Sequence, residues 1–248
     1  MNSRGVLLQV SCALLWLLPG CSSPQTVPDK GESVFVVHGL GRTPASMRVL
    51  VSRIEDAGYH VINFGYPSTA EPIEELTALL GAEVERSFGA DAGSVHFVTH
   101  SMGGVLVRSY LSQQPAPHAG RVVMLSPPSQ GSEIIDAFAD SQLLQSLLGP
   151  AAMKLGTEPG GIASELGRVR FSLGVITGDR SLSPIGSWLI PGPDDGKVAV
   201  DRAAVEGAAD FMVLHATHTF IMNRKDVAEE VVHFLERGQF MERERGDD

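Results

Sequence analysis

The residues with the clearest chemical potential surround Ser101, in the stretch Ser94-Val95-His96-Phe97-Val98-Thr99-His100-Ser101-Met102-Gly103-Gly104. A β-branched, apolar run stops at a serine, two small residues follow, and an apolar, helix-compatible run extends from Val105 to Leu111. The pattern predicts strand, sharp turn and helix, with Ser101 at the apex. A serine held there could attack an electrophilic carbon if a base took its proton and an acid oriented that base. A serine in a turn is also an ordinary connector, so the rest of the chain must supply partners. The histidines His215 and His218 and the carboxylates Asp179, Asp194 and Asp195 all lie in its last third. A second glycine-rich segment, His38-Gly39-Leu40-Gly41-Arg42, ends another apolar run. Its glycines let backbone amides turn inward toward developing negative charge. The spacing fits neither the dinucleotide fingerprint nor a P-loop.

The elements that must position these groups follow from periodicity. Ser33–Val37 is a near-continuous apolar run, expected of a strand buried on both faces. Pro44 to Ala57 predicts a helix with Met47, Leu50, Val51 and Ile54 on one face, closed by Gly58. His60 to Tyr66 predicts a strand stopped by Pro67, and Pro72 opens a helix through Leu76, Leu79, Leu80 and Val84. Further strands are predicted at Arg121–Leu125, Phe171–Gly178 and Phe211–Ala216, which places His215 inside the last strand and His218 in the loop after it. A polar loop containing Pro191 to Val198 separates the last two strands. Asn223 is predicted to cap a final helix whose face is Val227, Val231, Phe234 and Leu235, with Gly238 at its end. Regular alternation of strand and helix implies the α/β class, a mostly parallel sheet with helices on both faces. Two short amphipathic segments interrupt it. Ile134, Ile135 and Phe138 share a face behind Ser132 as N-cap, and Leu143, Leu144, Leu147 and Leu148 share another between Ser141 and Gly149-Pro150.

The HGLG and THSMGG motifs, with Pro127-Pro128-Ser129-Gln130-Gly131-Ser132 and Asp194-Asp195-Gly196-Lys197-Val198, resemble the α/β-hydrolases, in particular bacterial triacylglycerol lipases and esterases. The resemblance spans residues 33–240. One departure is Thr99, where the family's G-x-S-x-G elbow has a small residue. The resemblance implies Ser101 as nucleophile, the amides of Leu40 and Met102 as oxyanion hole, and a relay in the chain order Ser101, Asp195, His218. Asp179, directly after the penultimate strand, and Asp194 stand as alternative acids. The segment of about 132–168 takes the place of a small helical cap or lid over an acyl pocket, or else is ordinary core. The implied activity is hydrolysis of carboxylic esters of acyl lipids through an acyl-enzyme. An amidase, thioesterase or acyltransferase could use the same groups, and a non-catalytic membrane-tethered binding protein could use the same scaffold. No cofactor is implied, and the sequence has no H-E-x-x-H or Cys and His grouping for a metal.

Composition bounds the remaining classes. The 248 residues, 43% hydrophobic, suffice for one sizeable core. With 19 Lys and Arg against 29 Asp and Glu, the formal charge of −10 argues against nucleic acid as a partner. Both cysteines, Cys12 and Cys21, lie near the amino terminus. Arg4, the apolar run from Val6 to Leu18 and then Leu18-Pro19-Gly20-Cys21 predict a signal peptide over 1–20 with a lipobox-like end. The expectation is acylation of Cys21, a polar tether over 21–32, a hydrolase domain over 33–240 and a charged tail over 241–248. Resemblance to sorted bacterial lipoproteins places the chain at the outer membrane facing the periplasm, with a secreted or periplasmic protein as the alternative. The substrate class implied is an acyl ester or lipid, and the sequence carries no signal for an oligomeric state.

Overall fold

A computed structural model describes residues 30–88, 94–113, 119–161 and 165–242. The signal peptide, Cys21, most of the tether and the end of the charged tail lie outside these residues. Among the described residues no helix is long and apolar enough to cross a membrane.

Six strands form one sheet: β1 (Ser33–Val37), β2 (His60–Phe64), β3 (Val95–His100), β4 (Ala119–Leu125), β5 (Leu173–Gly178) and β6 (Asp210–Leu214). Their order is β2-β1-β3-β4-β5-β6, and every neighbouring pair is parallel. Side chains alternate across a strand, so the central strands feed two cores. Val34, Val36, Val98, Val123, Leu125 and Ile176 pack with Leu50 and Ile54 of α1 (Arg48–Asp56) and Val227, Val231, Phe234 and Leu235 of the last helix, Lys225–Arg237. Phe35, Val37, Phe97, Val122, Met124 and Val175 pack on the other face with Ile73, Leu76 and Leu80 of α2 (Ile73–Phe88) and Val105 and Leu106 of α3 (Met102–Gln113). The result is a three-layered α/β architecture, the one that the resemblance implies. β1 and β3 are neighbours although the chain visits β2 between them, so the connections diverge at their carboxyl ends. Such a switch point leaves a crevice above the sheet.

The cap region contains α4 (Glu133–Ala137), α5 (Gln142–Leu148) and α6 (Pro150–Met153). Gly149, with φ of 80°, lets it approach the loop after β2: a Cβ there would stand 1.8 Å from the Thr69 carbonyl oxygen. The predicted polar loop between β5 and β6 holds two short helices, α7 (Pro184–Leu189) and α8 (Val200–Ala203), which makes the last helix α9. Segments of six and four residues are too short to display a helical period.

Three expectations need correction, and a fourth, the Ser132 cap, holds in position only. Residues 44–47 form a 3-10 turn rather than the start of α1, because Ser46 bonds back to the Thr43 carbonyl through both its amide and its hydroxyl. β6 ends at Leu214, where the Ala216 amide bonds the Leu214 carbonyl at 2.7 Å, so His215 lies just beyond the strand. Ser132 does hold the N-cap position of α4, in extended backbone, but its hydroxyl donates to the Lys197 carbonyl at 2.7 Å instead of accepting from the helix. Asn223 sits in a 3-10 turn, and Arg224 occupies the N-cap of α9 without a side-chain capping bond. Gly238 ends that helix in the left-handed region.

Candidate active site

Ser101 directly follows β3, at the crevice between β1 and β3. Its φ of 54° is a left-handed conformation that side chains rarely adopt. The turn is made possible by Gly103, where a Cβ would stand 2.6 Å from the Val37 carbonyl oxygen. α3 therefore starts in direct contact with the end of β1. Thr99 is fully buried, its side chain packed at the position where Gly104 approaches β3.

The loops after β5 and β6 bring two groups to this serine. The Ser101 hydroxyl lies 3.0 Å from His218 Nε2, and His218 Nδ1 lies 2.8 Å from Asp195 Oδ2. A carboxylate only accepts, so Nδ1 carries the proton and Nε2 is free to receive the one that Ser101 donates. Asp195 Oδ1 accepts the amides of Lys197 and Val198 at 3.0 and 2.9 Å, and the His218 amide returns to the Asp195 carbonyl at 2.9 Å. Burial alone would raise the Asp195 carboxyl. The neighbouring His218, with hydrogen bonds that favour the anion, outweighs it and holds the group below its ordinary range.

The rival residues are directed elsewhere. Asp194 accepts from the Gly196 amide at 2.7 Å and the Ser187 hydroxyl at 3.1 Å, which ties α7 to its own loop. Asp179 pairs with His215 Nδ1 at 3.0 Å, and the His215 side chain is 71% exposed. Neither bonds His218 or Ser101.

Two supports were not singled out from the sequence. His100 donates from Nε2 to the His218 carbonyl at 2.9 Å, fixing the backbone of that loop. Burial, then the proximity of His218, lowers its pKa well below the ordinary histidine value, so the ring is neutral. Ser126, buried and also left-handed at φ 48°, brings its hydroxyl against the Asp195 carboxylate without a bond of good geometry. The only signal for either was its place at the carboxyl end of a strand. The register of the sheet, unknown from sequence, brings these ends together.

The glycine-rich loop after β1 is held from below. The His38 ring stacks on Tyr66 at 4.3 Å, the Tyr66 hydroxyl donates to the His38 carbonyl at 2.6 Å, and the Gly41 amide donates to Ser68 Oγ at 3.0 Å. These bonds leave the Leu40 amide without a partner among the described residues. Met102 opens α3, where the first amides have no carbonyl a turn earlier. A cavity of about 440 Å³ lies above Ser101. Leu40, Ile134, Ile135, Phe138, Leu147, Leu148, Leu155 and Val198 give it apolar walls, and Arg42 and Lys197 also line it. Among the described residues no cluster of His, Cys, Asp and Glu is gathered for a metal ion.

The arrangement can deprotonate a serine, hold a neutral imidazole in one tautomer and place an apolar chain beside the nucleophile. Comparison with solved structures places the same fold in several hydrolytic enzymes. A Bacillus licheniformis lipase in its mature form superposes with a TM-score of 0.66 at 19% identity, over 87% of this chain and 96% of the other. A Legionella pneumophila phospholipase gives 0.66 at 15% identity, over 84% of this chain and 60% of the other. A Paleococcus ferrophilus monoacylglycerol lipase gives 0.57 at 17%, over 85% and 96%. No curated protein sequence matches the chain. Residues 34–230 match the family described as the Alpha/beta hydrolase family, and the chain belongs to it.

Proposed function

We propose that the chain is a serine hydrolase that cleaves carboxylic esters of acyl lipids. The observation that carries this reading is the continuous relay of 3.0 Å and 2.8 Å from a strained Ser101 through His218 to buried Asp195. In this reading Ser101 attacks the acyl carbonyl while His218 takes its proton. The negative charge that develops on the carbonyl oxygen is received by the amides of Leu40 and Met102. His218 then protonates the leaving alcohol, and the acyl group remains on Ser101. Water, deprotonated by the same histidine, releases the acid. The apolar walls of the cavity favour an acyl chain, and the lipase and phospholipase names of the structural neighbours accord with that choice.

The test is labelling with a fluorophosphonate together with hydrolysis of chromogenic esters of increasing acyl length. The wild type should label and turn over. Ser101→Ala should lose labelling and at least about 10³-fold in kcat, since the nucleophile acts as a unit with its base. An unlabelled wild type that hydrolyses no ester would instead favour the binding-protein alternative.

The same proposal includes export. Acylation of Cys21 would hold the enzyme at the outer membrane facing the periplasm, and a tether of a dozen residues would let it meet lipid at the surface. Mass spectrometry of the mature amino terminus should find a lipidated Cys21. An unmodified cysteine, or a terminus elsewhere, rejects the anchor without touching the hydrolase reading.

A further inference from the structure

The cavity above Ser101 has an unusual balance of charge for this chain. Its formal charge is −10, yet no Asp or Glu lines the cavity, while Arg42 and Lys197 both do. Backbone bonds fix where each leaves its loop. Arg42 follows Leu40 by two residues and its amide bonds the Gly39 carbonyl at 3.2 Å. Lys197 follows Asp195 by two, gives its amide to that carboxylate, and its carbonyl receives the Ser132 hydroxyl. The cations therefore stand on the two loops that carry the oxyanion segment and the relay acid. No ion pair among the described residues engages Arg42 or Lys197, as is also true of Arg48, Arg170 and Arg180, but only Arg42 and Lys197 of these line the cavity.

Two cations face one cavity, and their like charges act on each other. Partial desolvation first, and then the like charge of Arg42, lower the Lys197 ammonium below its ordinary range, with Asp195 offsetting only part of it. Both cations also act on the neutral His100 ring beside the nucleophile. Arg42 is half-buried and Lys197 exposed at the rim of the cavity, so both cations are free to meet an anion that enters it. The acyl chain of a substrate is excluded from such a place and belongs against Ile134, Ile135, Phe138 and Leu147. What remains for the cations is the alcohol half of the ester.

Accepting the ester-hydrolase reading above, we infer that Arg42 and Lys197 form a subsite for a phosphate group carried on the leaving alcohol, so that the preferred substrates are acyl esters of phosphorylated alcohols. Arg42 offers a planar fork of donors to phosphate oxygens and Lys197 a point charge. The phosphate stays on the alcohol throughout. Only the acyl C–O bond breaks, and the proton from Ser101 leaves with the phosphorylated alcohol.

The test compares monolauroylglycerol with lauroyl lysophosphatidic acid, and the butyryl pair of the same alcohols, which separates a lipid from a soluble source of the phosphate. The ratio of kcat/KM, phosphate-bearing over neutral, should exceed one and fall ~10-fold in Arg42→Gln and in Lys197→Gln, the loss expected for one charge-assisted hydrogen bond. Arg42→Lys should recover part of it. Arg86→Gln, which removes a surface cation outside the cavity, should leave the ratio at its wild-type value. Calorimetry on Ser101→Ala gives a readout without turnover: octyl phosphate should bind more tightly than octanol, and the advantage should shrink with either Gln substitution. Circular dichroism verifies each fold, and Lys197→Gln, at the solvent-facing rim, carries the test alone should Arg42→Gln fail to fold. If both esters are hydrolysed at a ratio indifferent to the two cations, the subsite is wrong and the hydrolase stands. If no ester is hydrolysed but octyl phosphate binding depends on the cations, the hydrolase reading fails and the subsite stands. Octyl phosphate binding no better than octanol overturns the subsite outright.

Discussion

Asp179 and Asp195 both follow β5, and both reach a histidine, yet their surroundings give them different capacities. Asp179 meets an exposed ring near the sheet edge, where solvent screens the pair and its worth is small. The Asp195 side chain is fully buried, receives two amides and bonds the ring that touches Ser101. Asp195→Asn should therefore lower kcat by about 10⁴, as loss of the orienting carboxylate does in a serine–histidine–aspartate relay on another fold. Asp179→Asn should stay within about twofold of wild type. Steady-state kinetics on one chromogenic ester checks both, and a dead Asp179→Asn beside an active Asp195→Asn would move the acid role. The sequence narrowed the acid to three candidates, since the Asp-Asp-Gly-x-Val context and chain order favoured Asp195. It gave no access to Ser126 or His100, because their contacts depend on how the ends of β3, β4 and β5 align.

The cap helices show what periodicity can and cannot tell. Apolar stripes were legible over residues 134–148, but a stripe does not say whether it faces the sheet or a cavity. In the structure it does both. Ile135 joins the core beside α2 and α3, together with Ala151, Ala152 and Leu155 of the segment that follows, while Leu147, 68% exposed, lines the cavity and also faces solvent. Strands were placed within a few residues because buried parallel strands are apolar throughout, and errors gathered at ends and caps. Those depend on single hydrogen bonds such as Ser132 to Lys197. If the exposed side of the cap contacts the acyl chain, Leu147→Ser should cost little stability but flatten the gain of kcat/KM with acyl length. Burying one methylene is worth about 0.8 kcal/mol, roughly fourfold per carbon while the chain still contacts the wall. A panel of esters from acetyl to lauroyl, read with thermal melts, separates the outcomes. An unchanged length profile with a lowered Tm would mean that Leu147 serves packing and not the substrate.

At the scale of the whole molecule, the fold buries three histidines, of which His38 and His100 support the site and His96 lies in the body of β3. His38, His96 and His100 are buried, and burial is the largest cause that lowers each below the ordinary value of 6.5. His38 shapes the loop below Leu40, His96 packs edge-on to Tyr59, and His100 holds the His218 carbonyl. Sequence places His38 at the start of the glycine-rich loop and His96 inside a strand, but their resistance to protonation comes from packing across β1, β3 and the surrounding loops. The sign follows by linkage. Below about pH 6.5 the unfolded chain takes up protons that the folded chain refuses, so the contribution is intact above that pH and shrinks as pH falls toward the folded values. Asp195 acts in the same direction at lower pH, because its folded value lies below 3.8 and its stabilisation is lost as pH falls through it. Each histidine still neutral in the fold and protonated in the unfolded chain contributes a slope of about 1.4 kcal/mol per pH unit. Urea unfolding at several pH values between 8 and 5 should give a stability that declines toward acid. His100→Gln, which keeps a donor for the His218 carbonyl but cannot titrate, should make the decline shallower. Stability that rises toward acid would mean these rings carry protons in the fold, and the neutral His100 beside Ser101 would have to be abandoned.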